Sequence, residues 1–241
     1  MIAGLANASS LIKDSDVVQM VTSVNAQMRE DFGPVWHKSD AGAIFVPGGA
    51  SAKPMDGVML FLLADTQDQP DALAWHTENS DGSIVGIIQV KTILDAGGGI
   101  LTAGKSGDSV NAAWSHEALE ASKNPNVNLW VDGPITWQGQ TYASLAYEIC
   151  DPVQNGSYTK AGCQVSNFVL PSYFDEFNTK GPSWDWCNQL KGPLTSATPV
   201  APGGYLAVRN APGSETQVFG EDGEVMPWRQ GSRKSKLGLR K

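Results

Sequence analysis

Long hydrophobic runs are missing from this 241-residue chain. The longest, Val58 to Ala64, falls far short of the roughly 20 apolar residues that a membrane helix needs, so no membrane partner is expected. Met1 to Asp14 has no basic segment followed by an apolar stretch, so no secretory signal is read there. Cysteine is scarce: Cys150, Cys163 and Cys187 have no zinc-ribbon spacing and cannot all pair. Reduced, partly buried thiols in a protein made in the cytoplasm are the simplest expectation. Cys150 and Cys163 flank an expected hairpin, which leaves one bridge open. No phosphate loop is present, because Gly97-Gly98-Gly99 lacks the following Lys-Ser/Thr, and this excludes that mode of nucleotide binding.

Positive charge is also sparse, except at one end. The net charge is −8, yet Arg229, Arg233, Lys234, Lys236, Arg240 and Lys241 crowd the C-terminus without an acidic neighbour. Without those six the body carries 11 basic against 25 acidic residues, or −14. An acidic body with a basic arm suits docking onto an acidic surface, and a solvated terminus explains it equally well.

An apolar fraction of 41% supports a core, while 26 Gly and 14 Pro announce many turns. Val17, Val18, Val21, Val24, Met28 and Phe32 recur at spacings of three and four, which predicts a helix over 14–32, capped by Asp14 or Ser15 and ended by Gly33-Pro34. His37, just beyond, reads as a surface residue. Strands are predicted at 43–46, 57–64, 72–77 and 84–93. The continuous apolar run 57–64 marks a central strand covered on both faces. After a Gly-rich loop a second helix is predicted over about 109–123, stopped at Asn124-Pro125. Further strands are expected at 127–130, 141–149 and 164–170, with Asn155-Gly156 as a turn. From Pro171 onward periodicity fades, and Trp184-Asp185-Trp186 reads as an aromatic plug over the core or a binding platform.

The second helix carries His116-Glu117-Ala118-Leu119-Glu120. The zinc-peptidase pattern H-E-x-x-H places two imidazoles one turn apart with a glutamate base between them. Here Glu120 replaces the second histidine, and residues four apart share a helix face, so His116 and Glu120 can converge on one ion. Glu117 would take the proton from a metal-bound water. A third ligand is expected from downstream, Glu148 ahead of Asp151, because Pro152 gives the aspartate a turn-forming role. One imidazole with two carboxylates is an oxygen-rich set, compatible with zinc and also with manganese or calcium. The alternative is no metal at all, with His116 and Glu120 as a buried hydrogen-bonded pair.

Several ordered segments resemble a family of bacterial and prophage proteins with a zincin-like, metallopeptidase-like fold carrying the H-E-x-x-E variant. They are Asp31-Phe32-Gly33-Pro34-Val35-Trp36, Phe45-Val46-Pro47-Gly48-Gly49, Asp71-Ala72-Leu73-Ala74-Trp75-His76, Ser115 to Glu120 with Asn124-Pro125, Tyr147 to Pro152, and Val165 to Phe174. Relatives in that family usually have Asp where this chain has Asn124. The resemblance implies an α+β fold. Its zincin-like mixed sheet has an N-terminal helix and an active-site helix, followed by a β-hairpin and a loop-rich C-terminal part. The implied division is 1–175 zincin-like, 176–228 an irregular Pro/Gly/Trp-rich extension, and 229–241 the basic tail. In zincins a strand edge lies above the site and pairs with extended substrate, which places His76 at the cleft. Asn124 is expected as an outer partner or helix stop, and Tyr147, Tyr158 and Tyr173 are candidate donors to an oxyanion.

Two functions follow. One is a metal-dependent hydrolase acting on peptide or protein, located in the cytoplasm. The other is a non-catalytic phage or prophage virion component (capsid, decoration or tail) that reuses the fold and docks on a protein assembly through Arg229–Lys241.

Overall fold

The computed structural model describes residues 1–241 except 68, 70, 71, 138, 175–182, 191–198, 211–213, 221–224, 228–231 and 235–241. Five strands of the first half build one sheet: β1 (Ile2–Asn7), β2 (Gly42–Phe45), β3 (Val58–Ala64), β4 (Ala72–Glu78) and β5 (Ile84–Gln89). Their order is β4-β5-β3-β1-β2, and β4 alone among them runs antiparallel to its neighbour. The mixed α+β character expected from the sequence is present.

β1 was not foreseen. Six residues with two small side chains and one glycine carry no period, yet β1 lies centrally and is paired on both sides. Its odd-numbered side chains Ala3 and Leu5 join Met59, Phe61 and Leu63 of β3 in the main core, under the helices. The even-numbered Ala6, Leu60 and neighbouring Val46 form a much smaller cluster on the other face. The apolar run in β3 therefore serves two unequal faces.

The first helix, α1 (Asp14–Ala26), starts where expected, but Lys13 is its cap residue and no side chain caps it. Met20 is buried and Val18 is exposed, so the apolar stripe is displaced from the predicted one. The helix also continues through Gly33-Pro34 instead of stopping. A π-helical turn (Gln27–Phe32) leads into α2 (Gly33–Trp36). A proline near the start of a new helical segment costs no hydrogen bond. Position 33 admits only glycine: a Cβ there would lie 2.8 Å from the Met28 carbonyl oxygen and 2.9 Å from that of Lys38. The chain finally turns at exposed His37, whose φ of 54° is left-handed.

The predicted strand 84–93 is split. β5 ends at Gln89, and residues 90–95 form α3 (Val90–Asp95). Next comes α4 (Val110–Lys123), whose cap residue Ser109 accepts the Ala112 N–H at 3.1 Å, a bond worth about 1 kcal/mol. The helix stops at Asn124, which leaves the α region before Pro125 as expected, with φ −131° and ψ 63°. Every residue of α4 except Lys123 is buried, because the helix is covered on one side by the sheet and on the other by the second half of the chain. Two of its polar side chains are bonded inside this layer: Asn111 donates to the Gln164 carbonyl, and Ser115 donates to Gln27 and accepts from the Ser166 N–H.

The second half adds β6 (Trp130–Trp137), β7 (Gln140–Ala146), the hairpin β8 (Ser157–Lys160) and β9 (Cys163–Ser166), and β10 (Tyr205–Arg209), β11 (Glu215–Phe219) and β12 (Val225–Pro227). Strands β12-β11-β10-β7-β6 form a second sheet. Strands at 205–227 were not read from the sequence, which is Gly- and Pro-rich there. Val127, expected in a strand, instead has a φ of 49° in a turn. The chain turns near Asn155-Gly156 as expected, and β8 and β9 are joined by a second turn at Ala161-Gly162. Leu145, Leu206, Val208 and Val218 of the second sheet join the same core as α4. Trp184 is buried there as a plug, and Trp186 stacks on Phe168.

Cys150, Cys163 and Cys187 form no disulfide among the described residues, so the bridge left open between the first two is not formed. A last strand, β13 (Ser232–Lys234), pairs antiparallel with β4 and closes its outer edge. The rest of the Arg229–Lys241 tail lies outside the described residues. Among the described residues no helix is long and apolar enough to cross a membrane.

Candidate metal centre

Helix α4 presents His116, Glu117 and Glu120 to the interior. The chain leaving β7 contributes Glu148, Cys150 and Asp151, the last at the start of a short 3-10 turn (Asp151–Val153). Strand β4 contributes His76, and the end of α4 contributes Asn124. None of these eight residues is more than 6% exposed.

His116 is the hub. Its Nε2 lies 3.2 Å from Glu120 Oε2 and 3.2 Å from Asp151 Oδ1. Two donors each about 2.1 Å from a tetrahedral ion sit about 3.4 Å apart, so these spacings match the edges of a coordination shell. The Cys150 thiol is close as well: one donor atom each from His116, Glu120 and Cys150 lie within 4.8 Å of one another. The Cys150 N–H donates to Glu120 Oε1 at 3.0 Å, which fixes that carboxylate.

Glu117 faces the same interior. Its Oε2 is 2.8 Å from His76 Nδ1, while Oε1 is buried and has no hydrogen-bond partner among the described residues. His76 Nε2 lies 3.3 Å from the Asn124 carbonyl oxygen, which can only accept. Asn124 also donates its side-chain N–H to Glu148 Oε1 at 2.9 Å and accepts the N–H groups of Asn128 and Leu129 at 3.0 Å. It therefore ends the helix and supports an acidic side chain at the same time.

Burying four carboxylates costs several kcal/mol each unless protons or cations meet them. Burial, then the charge of Glu120, pushes the Asp151 carboxyl up to about 7, despite the opposing pull of His116. Glu148 is raised well above the usual carboxylate range, first by burial and then by Glu120. Burial alone would depress His76, but the hydrogen bond and charge of Glu117 outweigh it and the imidazole is raised. Such a set takes up protons or a cation, and His, Glu and Cys donors at these distances can hold a metal ion.

The structure thus gathers His116, Glu117, Glu120, Glu148, Asp151, His76 and Asn124 into one centre. Tyr173 is placed elsewhere, donating its hydroxyl to the Pro199 carbonyl at 2.7 Å. Tyr158 donates to Asp31 at 2.7 Å, and Tyr147 packs against Trp36 and Phe174.

Two residues escaped sequence reasoning. Cys150 reads from the sequence as a buried thiol or a disulfide partner and not as a ligand, although its place beside Glu148 and Asp151 is a usable signal. Tyr205, at the start of β10, hydrogen-bonds Asp151, and no motif marks it. Its segment is held over the centre by Gln154, which donates to the Gly203 carbonyl at 2.6 Å, and by the Ala201 N–H, which donates to the Pro152 carbonyl at 2.9 Å. Two surface cavities, one lined by Arg29, His37 and Lys38 and one by Met55, Asp81 and Ile84, do not reach the centre.

No protein family, curated protein or solved structure matches the chain.

Proposed function

We propose that this protein is a zincin-like metal-binding protein with the chemistry of a peptidase. His116, Glu120 and either Asp151 or Cys150 would hold a divalent cation. The single observation that carries this reading is the placement of His116 Nε2 at 3.2 Å from two buried carboxylates. Zinc suits a set that includes an imidazole and a thiol; manganese or calcium would suit the set of His116 with two carboxylates. The position of antiparallel β4, which sets His76 against Glu117, supports the zincin-like build.

A cation there would supply Lewis acidity toward a peptide carbonyl and toward water. Glu117 would accept a proton from water at Oε1, the oxygen that His76 leaves open. His76 orients the Glu117 carboxylate through Oε2, and Tyr205 holds Asp151.

The burial of the centre favours a second reading. All of its residues are nearly inaccessible, and β13 occupies the edge of β4 on which an extended peptide would pair. A cation in such a place consolidates the core, and the protein serves as a non-catalytic virion or prophage component. Elemental analysis of the purified chain, with a peptide-hydrolysis assay on the wild type and Glu117→Gln, decides between them. The peptidase reading expects bound metal in both proteins and hydrolysis only in the wild type. Metal without hydrolysis leaves the structural reading, and a chain that neither carries nor takes up metal removes both uses of the centre.

A further inference from the structure

We propose that the centre holds a second divalent cation, bound by His76, Glu117 and Glu120, with the Glu120 carboxylate shared between the two positions. This rests on the metal-binding reading above and extends it from one ion to two.

The donors are already assembled. One ligand atom each from His76, Glu117 and Glu120 lie within 4.8 Å of one another, and Glu120 also belongs to the set with His116 and Cys150. A carboxylate has two oxygens, and bridging carboxylates commonly hold paired ions about 3.5–4 Å apart.

An independent sign comes from Glu117. The residue is 2% exposed, its Oε2 faces His76 Nδ1, and its Oε1 is buried with no hydrogen-bond partner among the described residues. A buried carboxylate oxygen left in this condition is costly, and a cation satisfies it. Glu148 Oε2 is a second oxygen of the same kind.

His76 is oriented as a ligand should be. When its Nε2–H donates to the Asn124 carbonyl, the neutral ring carries its lone pair on Nδ1, toward Glu117. Metal-ligating imidazoles are typically fixed in this way by a carbonyl or carboxylate on the far nitrogen. The cation would take the place of the proton that otherwise sits between Nδ1 and Glu117.

The charge of the centre accommodates two ions. Glu117, Glu120, Glu148 and Asp151, all buried, carry four negative charges when ionised. With both imidazoles neutral, one divalent cation leaves two of those charges uncompensated in a medium of low dielectric, whereas two cations cancel them.

The test is metal stoichiometry of the full chain after equilibration with manganese(II) and removal of excess, read by native mass spectrometry and by electron paramagnetic resonance. The expected result is two ions per chain with a spin-coupled spectrum. His76→Ala and His116→Ala should each keep one ion and lose the coupling. One uncoupled ion in the wild type overturns the second position while leaving the first standing. No bound ion overturns both. The wild-type spectrum decides the matter even if a variant fails to fold.

Discussion

His76 on β4 and Glu117 on α4, 41 residues apart in sequence, meet at 2.8 Å in the interior. The contact ties the antiparallel strand of the first sheet to the helix that carries the candidate ligands. It also gives Glu117 one engaged oxygen and one open one among the described residues, as a base or a metal ligand requires.

Removing His76 should therefore be expensive. In the His76→Ala protein Glu117 remains buried without its imidazole, and breaking a buried pair from one side costs about 3–5 kcal/mol. Urea denaturation of the metal-free proteins measures this. A loss below about 1 kcal/mol would mean that Glu117 is not confined as described.

Stability of the metal-free protein should fall with rising pH. Asp151 is shifted from 3.8 to about 7, so between those values the folded chain holds a proton that the unfolded chain releases. Unfolding free energy then declines across that window, by up to about 1.4 kcal/mol per pH unit for one group. Glu148 is shifted in the same direction. His76, raised from 6.5, contributes stability that is complete below that value and is lost as pH rises through its folded value. Asp65 and Asp81 are shifted down, so their contribution changes below the ordinary carboxylate range, outside this window. Melting scans should show a lower Tm at about pH 7.5 than at about pH 5. Added zinc or manganese should raise Tm more at the higher pH, where the ligands are deprotonated.

Asn124→Asp exchanges the amide that donates to Glu148 Oε1 for another carboxylate. The contacts from the Asn128 and Leu129 N–H groups survive, since an aspartate oxygen accepts them equally well. The metal-free variant should lose about 2 kcal/mol or more to like-charge repulsion in a buried site, and saturating divalent cation should recover a large part of the loss. Thermal shift with and without metal reads both effects. An equal loss in the two conditions would place position 124 outside the influence of the centre.

Deleting residues 229–241 removes β13 and bares the outer edge of β4. An unpaired strand edge invites another strand. The truncated chain should self-associate more in sedimentation, or bind extended peptides that the full chain ignores. On the virion reading, the same deletion should release the protein from its assembly. If neither association nor peptide binding changes, β13 is not what protects that edge.

The legible part of the fold was the part with strong local signals. The apolar run at 58–64, the helix over about 109–123 and the Asn124-Pro125 stop all carry their own periodicity or backbone restriction. β1 and the strands at 205–227 do not, because Gly-, Ala- and Pro-containing segments become strands only when a neighbour supplies the ladder of hydrogen bonds. The helix that passes through Gly33-Pro34 was misread for a related reason. A π-turn and the tight approach of the Met28 and Lys38 carbonyl oxygens make glycine obligatory there, and neither is encoded in spacing.

By itself the sequence determined the spacing of His116, Glu117 and Glu120, because 3.6 residues per turn fixes how side chains one turn apart are related. It also marked the acidic pair 148 and 151 as partners. Only the tertiary structure decided that α4 is buried on all sides, that His76 engages Glu117, and that Cys150 and Tyr205 join the centre. Those contacts span tens of residues and depend on how sheet, helix and second sheet stack. It is their closeness in a low-dielectric interior that turns scattered ionisable groups into one site.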